Sequence, residues 1–184
     1  MRRLFCSLPL LALGACGAPA PAPVKARTTF YADGKPWSEI HYDLGRPNGA
    51  WTTWHANGQK ASLGEYDDGA LAGHWQRWYA DGQRASDANY RAGMLDGRYD
   101  EFWPSGKPHS HGSYREGKAE GLWTEWDRQG RKLLEGRYQG GEREGIWTGW
   151  DPDSGEVRGY AVYAKGQIVT GEARKAALDA AGLK

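Results

Sequence analysis

The chain has 184 residues, 39% of them hydrophobic, and its 24 Lys+Arg nearly balance 23 Asp+Glu for a formal net charge of +1. No basic stripe or acidic block stands out, which argues against nucleic acid as a partner. The 2 cysteines, Cys6 and Cys16, both lie near the start, so no disulfide framework holds the rest of the chain.

The first element, residues 1–15, reads as a processing signal. Arg2 and Arg3 supply its positive end, and Leu4 to Leu13 form a short apolar run. That run is well short of the roughly 18–20 residues a membrane-spanning helix needs. Leu13-Gly14-Ala15-Cys16 then resembles the lipobox of bacterial lipoproteins. The resemblance implies cleavage before Cys16 and a diacylglycerol on its thiol, the one membrane attachment expected. Loss of Arg2 and Arg3 leaves 22 Lys+Arg against 23 Asp+Glu. Gly17, directly after the cysteine, implies sorting to the periplasmic face of the outer membrane if the enterobacterial rule applies. Residues 16–27 form the lipidated cysteine and a tether. Within it Ala18 to Pro23 alternate Ala and Pro, a composition that favours extended polyproline II and holds the repeats off the membrane.

From residue 28 to 171 the chain repeats every 24 residues. Tyr42, Tyr66, Tyr90, Tyr114 and Tyr138 keep that step, as do Trp51, Trp75, Tyr99, Trp123 and Trp147, and Trp54, Trp78, Phe102, Trp126 and Trp150. Gly45, Gly69, Gly93, Gly117 and Gly141 form a further row, and Gly49, Gly73, Gly97, Gly121 and Gly145 another. A fixed period in this range means an array whose units stack on their neighbours. In the cleanest unit, Gly64–Asp87, Asp68-Gly69 and Asp81-Gly82 are turn signals between two aromatic-bearing segments of strand length. No glycine-free run between glycines of the array exceeds ten residues, which leaves little room for helices. The prediction is all-β: an elongated, single-layer antiparallel meander of 24-residue hairpins, about five full units with partial ends. Tyr66, Gly69, Gly73, Trp75 and Gly82 are its structural positions.

With few Leu, Ile and Val but 10 Trp and 10 Tyr, wide rings must cover a sheet that has no second layer. In a regular strand Trp75, Arg77 and Tyr79 share one face, and His74, Gln76 and Trp78 the other. Tyrosines from intervening strands then fill the gaps on one face. A bulge would instead put both tryptophans on one side. A partial unit, Phe30–Ile40, opens the array, and Asp151-Pro152-Asp153-Ser154-Gly155 inserts one residue near its end. Residues 172–184 are alanine-rich with Gly182 as a stop, and read as a short helix that covers the last strand.

The skeleton Gly-x-Tyr-x-x-Gly-x-x-x-Gly-x-Trp, with a second aromatic and a further glycine, resembles the MORN repeat, and more closely its bacterial variant grouped with YwqK-type antitoxins. The resemblance covers residues 40–166 and part of 28–40. It implies a non-catalytic hairpin array that binds proteins or sits near membranes; an immunity-like protein guarding the envelope fits the signal better than a cytoplasmic antitoxin.

Enzyme chemistry is not marked. His109-Ser110-His111 places two histidines on one strand face in principle, but no third ligand joins them, and a solvated loop is the plainer reading. Asp67-Asp68 and Glu142-Arg143-Glu144 read as solvated turns. There is no nucleophile elbow, phosphate loop or dinucleotide fingerprint. No metal and no cofactor are expected. The expectation is a lipid-anchored envelope module that meets an unknown protein through an aromatic-and-charge surface made of Trp54, Trp78, Phe102, Trp126 and Trp150 with Arg77 and Tyr79, or by strand addition at an open edge. The rival is a peptidoglycan or glycan binder that uses the same rings as stacking platforms.

Overall fold

Two kinds of turn alternate along the chain, and they dictate the rest. At the first, Asp68 (φ 45°) and Gly69 (φ 87°) both take left-handed conformations. That is the two-residue turn whose twist matches antiparallel strands, and it needs a residue such as glycine at its second position. At the second, Tyr79 and Gln83 pair across Ala80–Gly82, and the Asp81 carboxylate caps the Gln83 N–H at 3.0 Å. The other units repeat the first turn and the backbone pairing of the second. Near the end, the inserted residue makes a wider loop in which Asp151 N–H reaches Glu156 C=O at 2.8 Å.

The computed structural model describes residues 25–183. The signal, Cys16 and the Ala/Pro tether lie outside them. The turns connect thirteen strands: β1 (Lys25–Phe30), β2 (Pro36–Asp43), β3 (Arg46–Trp54), β4 (Lys60–Asp67), β5 (Ala70–Trp78), β6 (Arg84–Arg91), β7 (Met94–Phe102), β8 (Pro108–Arg115), β9 (Lys118–Trp126), β10 (Lys132–Gln139), β11 (Glu142–Trp150), β12 (Val157–Ala164) and β13 (Gln167–Val169). They follow sequence order in one open antiparallel sheet. The expected single-layer meander is what the chain forms. Pairing begins at Lys25, opposite Tyr42, so residues 25–27 belong to the sheet and not to the tether expected there. At about 4.8 Å per strand, one repeat advances about 9.6 Å.

Repeats are also tied directly to one another. At the two-residue turns, the N–H of Gly69 donates to Pro47 C=O at 2.7 Å, Gly93 to Leu71 at 2.9 Å, Gly117 to Leu95 at 2.8 Å and Gly141 to Ala119 at 2.9 Å. At the opposite margin the Tyr31 hydroxyl donates to Trp54 C=O and the Tyr79 hydroxyl to Phe102 C=O, both at 2.7 Å.

The two tryptophan columns lie on opposite faces. Register slips occur where β5 carries Gly73 and His74 opposite Gly64, and where Ala85 is extra in β6. The run Trp75–Trp78 between them stays regular, so alternation holds. On one face, Trp51, Tyr66, Trp75 and Tyr90 interlock at ring centroid distances of 5.1–6.0 Å. Tyr99, Tyr114, Trp123, Tyr138, Trp147 and Tyr163 continue the ladder. This is the core: Trp147 is 1% exposed, Trp75 7% and Trp123 8%. Each of these three rings lies flat on a glycine of the preceding strand. A Cβ at Gly64 would stand 2.2 Å from the Trp75 ring, and Gly112 and Gly136 are equally covered by Trp123 and Trp147. In the one full unit with Ala88 in place of that glycine, the ring is the smaller Tyr99.

Beyond β13 comes α1 (Gly171–Ala180). Gly182 (φ 70°) ends it, with Gly182 N–H on Asp179 C=O and Leu183 N–H on Leu178 C=O. The helix buries Leu178, and the Arg174 guanidinium reaches past β13 to Tyr160 C=O of β12 at 3.1 Å.

Candidate functional site

On the aromatic face a groove of about 720 Å³ crosses β2 to β6. One wall is the ladder, with Trp51, Tyr66, Trp75 and Tyr90. The other is the row after the second aromatic column: Tyr31, His55 and Tyr79. The floor is made of Thr53 and Ser62, whose hydroxyls bond to each other, together with Arg77, Ala61 and Ala85. His55 Nε2 is bonded to Trp78 C=O at 2.9 Å.

One column decides where the groove is open. Positions 37, 61, 85 and 109 are Trp, Ala, Ala and His, and each is the extra residue at a register slip beside the long turn. Ala61 and Ala85 leave room. Trp37, 48% exposed, bounds one end. At the other end His109 stacks on Trp103 at 4.0 Å and pairs with Glu101 at 3.3 Å, filling the space that alanine leaves elsewhere.

The opposite face is charged. Asp87 bonds to His74 at 3.0 Å, to Arg84 at 2.6 Å and to Gln76 at 3.1 Å. Asp100 bonds to Arg98 at 2.5 Å and His111 at 2.6 Å. Burial opposes ionisation of Asp100, but the hydrogen bonds from Arg98 and His111 outweigh it and hold its pKa below the ordinary 3.8. Glu135 is likewise held down, first by its hydrogen bond from Lys132. The second aromatic column lies in this network. Lys60 and Arg84 sit over the Trp78 ring at 5.5 and 5.8 Å, and Lys132 over Trp150 at 4.8 Å.

Part of the expected surface comes together: Trp54, Trp78, Arg77 and Tyr79 all border the groove. The five rings Trp54, Trp78, Phe102, Trp126 and Trp150 are all half-buried; Phe102 lies with Asp87 and Asp100, and Trp78 and Trp150 carry the cations of the charged face, while Trp54 and Trp78 also reach the groove rim. His109 and His111 are in β8 and not in a solvated loop, and they do not share a face. The slip at His109 sends its ring toward Glu101 and that of His111 toward Asp100. Tyr99 is pushed well above the ordinary phenol range by burial first and by Glu101 second, so it stays neutral. Among the described residues there is no group of three potential metal ligands, and no helix is long and apolar enough to cross a membrane. The wall of Tyr31, His55, Tyr79 and Trp103 keeps the 24-residue step and was readable as a column; Trp37 carried no periodic signal.

No curated protein matches the sequence. Among solved structures, the chain is similar to a chain of the Glycosylation Associate Protein (Gap123) complex from Streptococcus agalactiae. The identity is 16% and the TM-score 0.33, over 59% of this chain and 20% of that one. The family model described as the MORN repeat variant matches residues 25–44 and 47–68, which are the first two hairpins of the array, and the same hairpin recurs through the rest of the sheet.

Proposed function

We propose that this chain is a non-catalytic, lipid-anchored protein of the cell envelope whose repeat array serves as a protein-interaction surface. The observation that carries this reading is the aromatic groove, a preformed recess on a rigid single-layer sheet. Such recesses with a few fixed polar groups are what binding surfaces look like. The match to MORN-variant hairpins supports a repeat protein of the protein- or membrane-binding kind. The charged face supports the non-catalytic reading, because its carboxylates Asp87, Asp100 and Glu135 are engaged in ion pairs. Cys16 is the anchor, and Gly17 directs the protein to the periplasmic face of the outer membrane. A kinship with YwqK-type antitoxins makes a toxic protein one specific candidate partner, with this chain as its immunity factor.

In-cell crosslinking of the full-length protein, followed by capture and mass spectrometry, tests the reading, with Cys16→Ser as the control for placement. One dominant protein joined to residues of the array, lost or reduced when the anchor is removed, is the expected result. Recovery of peptidoglycan fragments without any protein would replace it with the cell-wall reading.

A further inference from the structure

The groove repeats, and its step has a ligand-sized meaning. Ala61 and Ala85 are equivalent positions one repeat apart, so the two recesses they floor stand about 9.6 Å from each other. A polyproline II helix has three residues per turn and rises about 3.1 Å per residue, so it presents the same side about every 9.3 Å. Resting on that match and on the interaction role proposed for the array, we propose that the groove binds an extended proline-rich segment of a partner protein in polyproline II conformation. Two prolines three residues apart enter the recesses at Ala61 and Ala85, and an acidic residue of the ligand pairs with Arg77.

The chemistry of the walls selects this class. Polyproline II ligands are taken up by aromatic grooves, with indole N–H groups serving their free carbonyls. The groove supplies rings, and the indole N–H groups of Trp37 and Trp51 have no hydrogen-bond partner among the described residues. Several of its other polar groups are already committed. The Thr53 and Ser62 hydroxyls bond each other, and the Tyr79 hydroxyl and His55 Nε2 are engaged by backbone carbonyls. At this floor a polyhydroxylated glycan would surrender water to hydroxyls that already bond each other, whereas a proline ring surrenders none. Arg77 makes no ion pair among the described residues, although its strand neighbours across the register are the small Ser62 and Ser86. It stands between the two recesses, so charge complementarity places the ligand's carboxylate between or beside the two prolines. His109 closes the groove in the next unit, and Trp37 bounds the other end. The separation of these two stops, three repeats, corresponds to about nine polyproline residues.

The array itself provides variants that fold. Ala61→Trp and Ala85→His install the residues that positions 37 and 109 already carry at the same slip. The probe is a blocked nonapeptide of proline and alanine with two prolines three residues apart and one aspartate between them, titrated into the full chain by tryptophan fluorescence and calorimetry. Saturable binding is expected, weakened at least about tenfold by either groove-filling variant. Moving the prolines to a four-residue spacing, or replacing them with glycine, should weaken it by a similar factor. Arg77→Gln, or lysine in place of the peptide's aspartate, should cost about three- to fivefold, the worth of an exposed ion pair. Binding that ignores proline spacing, or stronger binding of a chitin-type oligosaccharide at the same tryptophans, overturns the proposal. So does a peptide titration with no signal. The interaction role is judged separately. A partner crosslinked equally well by wild type and by Ala61→Trp leaves that role standing and removes the groove as its seat.

Discussion

The two faces of this sheet are made by the same strands at the same 24-residue step, yet they hold together by different means. On one face, rings lie on glycines and on each other, and Trp147 is as buried as a side chain in a layered core. On the other, half-buried rings sit among Asp87, Asp100, Glu135 and their cations. A lone sheet has no second layer, so one face must serve as core. The other can remain solvated, provided its charges are paired across strands. Equal sequence regularity therefore does not mean equal energetic weight.

Truncating one ring on each face measures the difference directly. Trp147→Ala should cost about 3–5 kcal/mol, the loss for a fully buried large aromatic. Trp150→Ala, three residues on and half-buried under Lys132, should cost about 1 kcal/mol. Urea unfolding with an unchanged m-value reads both. Equal losses would mean that the faces are equivalent after all.

A smaller change probes the floor of the core. Gly136→Ala puts a Cβ 2.1 Å from the Trp147 ring and should destabilise by about 1–3 kcal/mol. Gly149→Ala, whose new Cβ would meet nothing closer than 3.9 Å, should stay within about 0.5 kcal/mol of wild type. Thermal melts of the pair would locate the strain in the ring and not in the backbone.

The charged face should instead respond to acid. Asp100 is ionised more easily folded than unfolded, so its contribution is fully present above the ordinary pKa of 3.8 and is lost as pH falls through its lower folded value. Asp100→Asn should therefore cost about 1–2 kcal/mol at neutral pH and flatten the acid limb of a stability-against-pH curve. An acid limb of unchanged slope would show that the carboxylate pairs contribute nothing there.

Much of this architecture is legible in the amino-acid order alone. The period marks the hairpins, Asp68-Gly69 and Asp81-Gly82 mark the turns, and alternation between Trp75 and Trp78 separates the two faces. Local rules carry that far because each acts within a few residues. What failed depended on pairing between strands. Lys25 to Arg27 look like tether by composition and become strand only by bonding to β2. Arg77 and Tyr79 flank Trp78 with one residue of offset, which reverses the face in a strand, and all three meet only at the groove. The histidines at 109 and 111 share parity and still diverge, because a register slip is invisible without the partner strand. The groove is invisible in the sequence for the same reason: it exists only where Ala61 and Ala85 are slipped out beside a wall from the neighbouring turn.

The smallest expected effect lies on neither face. Ala92 (φ 49°) holds the first position of a two-residue turn, where the array elsewhere uses Leu44, Asp68, Glu116, Gly140 and Lys165. A left-handed alanine is strained, and asparagine tolerates that conformation better. Ala92→Asn should therefore raise stability by about 0.5–1 kcal/mol. It touches no ring, no ion pair and no part of the groove, so peptide binding and the acid limb should not move. A thermal melt measures the gain, and hydrogen exchange at β6 and β7 shows whether it stays local. A gain that matched the loss from Trp147→Ala would mean that the turns, and not the aromatic face, set the stability of the array.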